Sequence, residues 1–300
     1  MKKVQVLMST YNGEMFIREQ IDSIIKQDYS NIELLIRDDG STDGTIHIID
    51  EYATKYNNIK YYLGKNLGSC QSFFDLLINA DTNSDYYAFA DQDDYWLPNK
   101  ISRAIEAIEK ENIHKYLMYA SKAIVVDENL NPLKSKNRKE PIIPGFGNAL
   151  VENVCIGCSI VFNNQLFNLI IDKIPKNAFM HDWWLYLVTS CFGEIIYDNE
   201  SCLLYRQHNN NVIGMKDGFV AHWIKRFSNY GKMKKIRELQ LCEFNNLFSL
   251  NDNKQKIVKD LIQTKHSIKA RIIVLKLKII YRQKLLDDMV FKLLLLLNGY

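Results

Sequence analysis

Residues 91–94 read Asp-Gln-Asp-Asp, three carboxylates within four positions, directly behind the apolar run YYAFA and just ahead of Pro98. Like charges this close repel, so either water or a cation must balance them. Carboxylate oxygens are the hard donors that Mg²⁺ and Mn²⁺ prefer, and such ions usually take one or two protein carboxylates and complete their shell with substrate phosphates. In extended chain Asp91 and Asp93 share a face, an arrangement that fits a metal-bound nucleoside diphosphate. The alternative is a solvated acidic turn leading into the helix at Pro98.

Three further stretches carry chemistry. In DDGSTDGT (38–45), Asp39 can accept the ring N–H of a uracil or thymine, while Ser41 or Asp43 can cap a helix from Thr45 onward. In HDWW (181–184), Asp182 opens an apolar helix, either as its N-cap or as a general base raised in proton affinity by an aromatic setting. In YRQH (205–208), Arg206 and His208 share one face of an extended segment. There Arg206 can neutralise a leaving diphosphate and His208 can bind a metal or phosphate; otherwise both are ordinary surface residues. Cys155 and Cys158 have no second C-x-x-C to complete a zinc site and read as small residues in a tight buried strand. Trp183 and Trp184 read as core, with sugar stacking by one of them open.

The elements that must position these residues alternate. VQVLMST (4–10), IELLIR (32–37), IKYYLG (59–64) and YYAFA (86–90) read as strands. Helical stripes separate them: Ile17, Ile21, Ile24 and Ile25; Ile46, Ile49, Tyr52 and Ala53; Phe73, Phe74 and Leu77; and, after Pro98, Ile101, Ala104, Ile105 and Ile108. This is the pattern of a parallel α/β sheet. TYNG, DDGS, KNLG and DQDD each follow a strand, so four polar loops converge on the carboxyl edge, where open sheets bind ligands. From 115 to 215 the pattern is mixed. YLMYASKAIVVD reads as one strand or two, CIGCSIVF as another, HDWWLYLVTSCF as a buried helix, and EIIYD and CLLYRQH as short closing strands, with a charged loop at KSKNRKEPIIPG. Residues 220–300 read as helical.

Of 300 residues, 47% are apolar and 24% charged, enough to bury a core. The N-terminus lacks a signal-peptide pattern, and no apolar run is long enough to span a bilayer. Six scattered cysteines suit a cytosolic chain of thiols. The net charge of +3 divides unevenly: residues 1–220 hold 21 Lys and Arg against 29 Asp and Glu, a balance of −8, and residues 221–300 hold 17 against 6, a balance of +11. A basic tail calls for an anionic partner. Its interleaved Ile and Leu favour a membrane surface over nucleic acid; the alternative is packing on the catalytic domain or in a homodimer.

In order and spacing, STYNGEMFIREQIDSIIKQ, LLIRDDGSTDGT, KNLGSCQSF and FADQDDYWLPNK resemble the family 2 glycosyltransferases, strongly over residues 1–110 and more weakly through HDWW and YRQHNNNVIG to about residue 215. The last pairing most resembles bacterial polysaccharide rhamnosyltransferases. The resemblance implies a GT-A (Rossmann-like) fold, a mixed, mostly parallel sheet flanked by helices, as a catalytic domain over 1–218, with a basic helical extension over 219–300. It implies a nucleotide-diphosphosugar donor (dTDP-rhamnose or a UDP-hexose), Mn²⁺ or Mg²⁺, and inversion at the anomeric carbon. By position, Thr10, Tyr11 and Glu14 line the nucleotide pocket with Asn66 of the KNLG loop. Asp39 holds the pyrimidine, Asp91 reaches ribose or metal, Asp93 ligates the metal with His208, and Asp182 is the base. The acids of DQDD are then offset by a cation that arrives with the substrate. A glycan or lipid-linked glycan acceptor would suit an enzyme resting on the inner face of the cell membrane, and no nucleic acid is expected. Two departures stand out: no Arg follows the N-x-G loop, and His181 precedes Asp182 where many members have Glu.

Overall fold

The structure is a computed structural model; it describes residues 1–133, 141–208 and 230–298. Chain contacts divide it into two units. One comprises the described residues of Met1–Pro141, Cys155–Asp172 and Gly193–Met215; the other comprises those of Ile142–Val154, Lys173–Phe192 and Lys216–Tyr300. The expected boundary at 218/219, the NNNVIG stretch and the KSKNRKE part of the charged loop lie outside the described residues.

The first unit is a mixed eight-stranded sheet in the order β3-β2-β1-β4-β7-β6-β8-β5. Strands β1 (Val4–Thr10), β2 (Ile32–Asp38), β3 (Ile59–Leu63) and β4 (Tyr86–Ala90) are parallel. β4 is buried along its whole length, which explains why it reads as an unbroken apolar run: both faces are covered. β5 (Tyr95–Trp96) and β7 (Val161–Asn163) run antiparallel to their neighbours, whereas β6 (Leu117–Val126) and β8 (Glu194–Arg206) pair in parallel. Helices α1 (Ile17–Ile25), α2 (Thr45–Lys55), α3 (Ser69–Ile78) and α4 (Lys100–Glu109) connect the parallel strands and turn the expected stripes inward, with Ile25, Tyr52 and Ala53 half-buried and Ile48 rather than Ile46 buried on α2. Pro98 falls in the turn before α4 rather than in its first turn.

Two expectations are corrected. CIGCSIVF is not one strand: Gly157–Ser159 forms a 3₁₀ turn and only Val161–Asn163 joins the sheet. The Ser159 hydroxyl donates to the Ile156 carbonyl at 2.7 Å, a local bond that competes with the ladder. EIIYD and CLLYR are one 13-residue strand, with Gln207 and His208 just beyond its end, because the polar interruption is absorbed as an irregularity. Ser121 pairs with Asp198, and the next residue, Lys122, pairs with Ser201.

The second unit contains α5 (Phe146–Ala149), α7 (His181–Phe192) and the helices α8 (Tyr230–Leu247), α9 (Asp252–Gln263), α10 (Ile268–Lys276) and α11 (Leu285–Asn298); α6 (Asn164–Ile170) belongs to the first. The α7 helix is buried nearly all round. Trp184 meets Phe244 of α8 edge-on at 6.0 Å, Phe192 lies 5.3 Å from Phe248, and the Phe179 amide donates to Gln240. Gly147 has no room for a side chain, since a Cβ would lie 1.9 Å from the Ile279 carbonyl oxygen. The C-terminal helices therefore form the packing ground of α7. Among the described residues no helix is long and apolar enough to cross a membrane.

Candidate active site

The register of the parallel strands brings the polar loops together. Thr10 is level with Asp38, Asp38 with Leu63, and Met8 with Ala90, so the loops after β1 to β4 leave the same edge. They are then tied to one another. Tyr11 donates its amide to Gln92 Oε1 at 2.8 Å, and Gln92 Nε2 donates back to the Tyr11 carbonyl at 3.0 Å, which fastens TYNG to DQDD. A Cβ at Gly13 would fall 2.3 Å from Gln92 Oε1 and break that pair. The Asn12 amide donates to Ser41 Oγ, Asn12 Oδ1 accepts the Thr42 amide, and the Gly13 amide donates to Thr45 Oγ1. These bonds hold Asn12 in its left-handed conformation at φ 47° and lock TYNG to DDGSTDGT. Asp43 accepts from the Thr45 amide and hydroxyl where α2 begins.

The two neighbouring aspartates of DDGS do different work. Asp38 accepts from the amides of Gly40 and Ser41 and from the hydroxyls of Ser41 and Thr10, so the buried Thr10 hydroxyl is directed at Asp38. Asp39 accepts the amides of Leu67 and Gly68 at 2.8 and 2.9 Å and Arg37 Nη1 at 2.5 Å. A carboxylate offers about four acceptor positions, so this buried group retains one. Although no arginine follows the N-x-G loop, a guanidinium does reach it: Arg37, fully buried on β2, donates Nη2 to the Lys65 carbonyl and Nε to Asp75. Tyr11, Glu14 and Asn66 are exposed on this edge, with Glu14 Oε2 accepting the Gly44 amide at 2.6 Å.

Arg206 and His208 of YRQH both converge on the acidic turn, from the end of β8. His208 Nε2 lies 2.7 Å from Asp93 Oδ2. Arg206 donates Nε to the Asp93 carbonyl at 2.8 Å, and its amide donates to Asp94 Oδ1 at 3.1 Å. The remaining guanidinium nitrogens bond the Glu128 carbonyl and the Glu19 carboxylate, and the group stacks over Phe16 at 4.5 Å. The Phe16 ring in turn touches the His208 ring at 4.9 Å. Arg206 is 2% exposed at its side chain; its charge braces the turn from within.

Among the described residues, the ligand-type atoms that converge within 4.8 Å are those of Asp91, Asp94 and Cys158. Burial pushes the Asp94 carboxyl well above its ordinary range, and the charges of Asp93 and Asp91 add to it. Burial and the Asp94 charge likewise push the Cys158 thiol up. Hard oxygen donors in mutual repulsion suit a divalent cation of the Mn²⁺ or Mg²⁺ kind, while a protonated thiol adds little to such a shell. Sequence alone assigns Asp94, Phe16 and Glu19 no part in the site and reads Cys158 only as a small buried residue. Asp94 stands in the motif; the others meet it across sequence distances that no local spacing reveals.

Beneath the turn, Lys100 is wholly buried with Nζ 3.5 Å from the centre of the Trp96 ring, and no described group accepts a hydrogen bond from it. Burial lowers its pKa to about 7.

In the second unit, Asp182 lies in the first turn of α7 and not at its N-cap, since the helix begins at His181. Its Oδ1 accepts the Trp183 amide at 2.6 Å. A carboxylate at this end of a helix is favoured by the unpaired amides and the macrodipole. Trp183 donates Nε1 to the Ala149 carbonyl at 2.7 Å. Both tryptophans are buried, as a core role requires. His181 is buried as well, and burial drives its pKa down to about 3.

Comparison with known proteins matches residues 5–168 to the profile of Glycosyl transferase family 2. The dTDP-rhamnosyl transferase RfbG of Shigella flexneri is 34% identical over 228 residues, covering 72% of this chain and 76% of its own. An uncharacterized glycosyltransferase of Rickettsia typhi is 26% identical over 79% of this chain and 74% of its own. Among solved structures, Staphylococcus aureus TarS 1–349 in complex with UDP-GlcNAc superposes with a TM-score of 0.60 at 18% identity, over 95% of this chain and 77% of that one. The mannosyltransferase PcManGT of Pyrobaculum calidifontis, in complex with GDP-Man and Mn²⁺, gives 0.56 at 14% identity, over 91% and 72%. These likenesses carry the expected GT-A fold.

Proposed function

The chain belongs to Glycosyl transferase family 2, and from that premise we propose that it transfers L-rhamnose from dTDP-rhamnose to a glycan or lipid-linked glycan acceptor in bacterial surface-polysaccharide synthesis. The observation that carries this reading is the acidic turn braced by Arg206 and His208 on the edge where the four polar loops emerge. The 34% identity to a protein named as a dTDP-rhamnosyl transferase supports the donor.

In this reading the donor's pyrimidine meets the remaining acceptor position of Asp39, with Tyr11, Glu14 and Asn66 along the nucleotide. Thr10 acts through Asp38. Asp91 and Asp93 would hold Mn²⁺ or Mg²⁺, which would supply positive charge against the departing diphosphate. His208 orients Asp93 or joins the ligands, and Arg206 fixes the turn. Asp182 accepts the proton of the acceptor hydroxyl. That oxygen bonds the anomeric carbon as the bond to the diphosphate breaks, so dTDP leaves and the configuration inverts in one displacement. The enzyme would work at the cytoplasmic face of the cell membrane.

A thermal-unfolding panel with Mn²⁺ and UDP, dTDP, GDP, CDP or ADP tests the donor class, because a ligand that binds only the folded state raises its stability. A metal-dependent shift largest with dTDP is expected. A larger shift with UDP would move the reading to a UDP-hexose donor. No shift with any nucleotide, with or without metal, would leave a scaffold protein without this chemistry.

A further inference from the structure

The helix α11 (Leu285–Asn298) carries two apolar faces. Phe291 and Leu295 are buried. Leu285, Leu286, Met289, Leu293, Leu296 and Leu297 are each between 46% and 76% exposed. At 100° per residue these six fall within one stripe about a third of the circumference wide and about 20 Å long. No charged residue of the helix lies in that stripe. Asp288 is buried and accepts from Lys292 and from the Arg282 amide. A surface helix of a soluble protein ordinarily presents charge on its outer side; this one presents leucine.

Its surroundings supply the charge. Between Asp260 and Asp287 the chain holds seven Lys and Arg and no carboxylate. Lys269, Lys276, Lys278 and Lys284 are exposed. On α10, Ile268 and Ile272 are exposed on the same side as Lys269 and Lys276. Arg271 of α10 donates to the Leu296 and Leu297 carbonyls, so α10 lies against the end of α11. An apolar stripe beside an acid-free basic segment is the composition of a helix lying in a lipid interface. Two copies of the same face would bring like charges together, whereas an anionic bilayer complements both the leucines and the lysines.

We propose that the exposed face of α11, with the basic residues of α10 and the segment joining them, docks the protein on an anionic phospholipid surface, the helix lying in the interface. This goes beyond the transfer reaction and deepens the reading that its acceptor is lipid-linked. Flotation of the full chain is the test, with vesicles of equal phosphatidylcholine and phosphatidylglycerol against phosphatidylcholine alone. Wild type should float with the anionic vesicles and be released by salt. Leu286→Glu/Leu293→Glu and Lys276→Glu/Lys278→Glu should each lower partition about tenfold or more. All four positions are exposed, so circular dichroism and the Mn²⁺–dTDP thermal shift should match wild type. If that shift is absent from wild type as well, the donor reading fails while the docking result stands. Equal flotation of wild type and both variants would overturn the proposal. So would a vesicle-free wild-type dimer that Leu286→Glu/Leu293→Glu dissolves, which would make the occupant a second copy.

Discussion

Nε2 of His208 lies 2.7 Å from Oδ2 of Asp93, across 115 positions of sequence. The strand β8 that ends in Arg206 thus returns to the acidic turn after β4, and three bonds join them: His208 to the Asp93 carboxylate, the Arg206 guanidinium to the Asp93 carbonyl and the Arg206 amide to the Asp94 carboxylate. In the proposed site a histidine in this position would either ligate the cation or orient the carboxylate that does, and in both cases its loss would weaken metal binding. His208→Ala should lower Mn²⁺ affinity about 10- to 100-fold, read by titrating tryptophan fluorescence with Mn²⁺ at fixed dTDP. An unchanged Mn²⁺ titration would remove His208 from the site.

Arg206 should matter more to folding than to donor contact. Its guanidinium is buried among the Asp93 and Glu128 carbonyls, the Glu19 carboxylate and the Phe16 ring. Arg206→Met strands those acceptors, and breaking such a buried network costs about 3–5 kcal/mol. Glu19→Gln should cost about 1 kcal/mol or less, because Glu19 is half-exposed and its pairing is screened. Urea unfolding of both variants checks the order; equal costs would contradict the brace.

Asp182→Asn keeps the shape of the first turn of α7 and removes the proposed proton acceptor. Turnover should fall about 10²- to 10⁴-fold, with the dTDP-dependent thermal shift intact. Turnover within a few-fold of wild type would assign the base elsewhere.

His181 sets an acid limit on stability. Burial holds its pKa at about 3, against an ordinary 6.5. Between those values the unfolded chain binds a proton that the folded chain refuses, so this contribution is complete above pH 6.5 and is lost as pH falls toward 3. His181→Asn should flatten the loss by about 2 kcal/mol between pH 6.5 and 5. Denaturant melts at the two pH values measure it, and parallel pH slopes for both proteins would refute it.

Lys100 acts in the opposite range. Its folded pKa of about 7 lies below the ordinary 10.5, so holding the ammonium inside costs stability in full below pH 7. That cost fades as pH rises from 7 to 10.5, where only the unfolded chain still binds the proton. The Trp96 face returns about 2 kcal/mol of this to the charged form. Lys100→Met should therefore raise the melting temperature more at pH 6 than at pH 9. A gain independent of pH would mean that the buried amine keeps its proton at both values, so that its pKa is not lowered.

What could be read from the chain was whatever its local periodicity decides. β4 is apolar throughout because both its faces are covered, and the stripes on α1, α3 and α4 repeat at 3.6 residues because one face of each is buried. Polar loops behind such strands must gather on one edge, so TYNG, DDGS, KNLG and DQDD announced a site and a family. The two-residue β5 has no period to read, and the polar interruption in β8 looks like a strand end until the irregular pairing with β6 absorbs it.

The directions of the charges were settled only in three dimensions. Arg206 faces inward because Glu19 and the Glu128 carbonyl wait there, and Asp94 nears Cys158 because the 3₁₀ turn at Gly157 approaches the acidic loop. The basic tail showed its charge and its leucines in sequence. That the same tail builds the bed of α7, through Phe244 and Phe248 against Trp184 and Phe192, was decided by packing between segments some 60 residues apart, and no local pattern encodes such a partner.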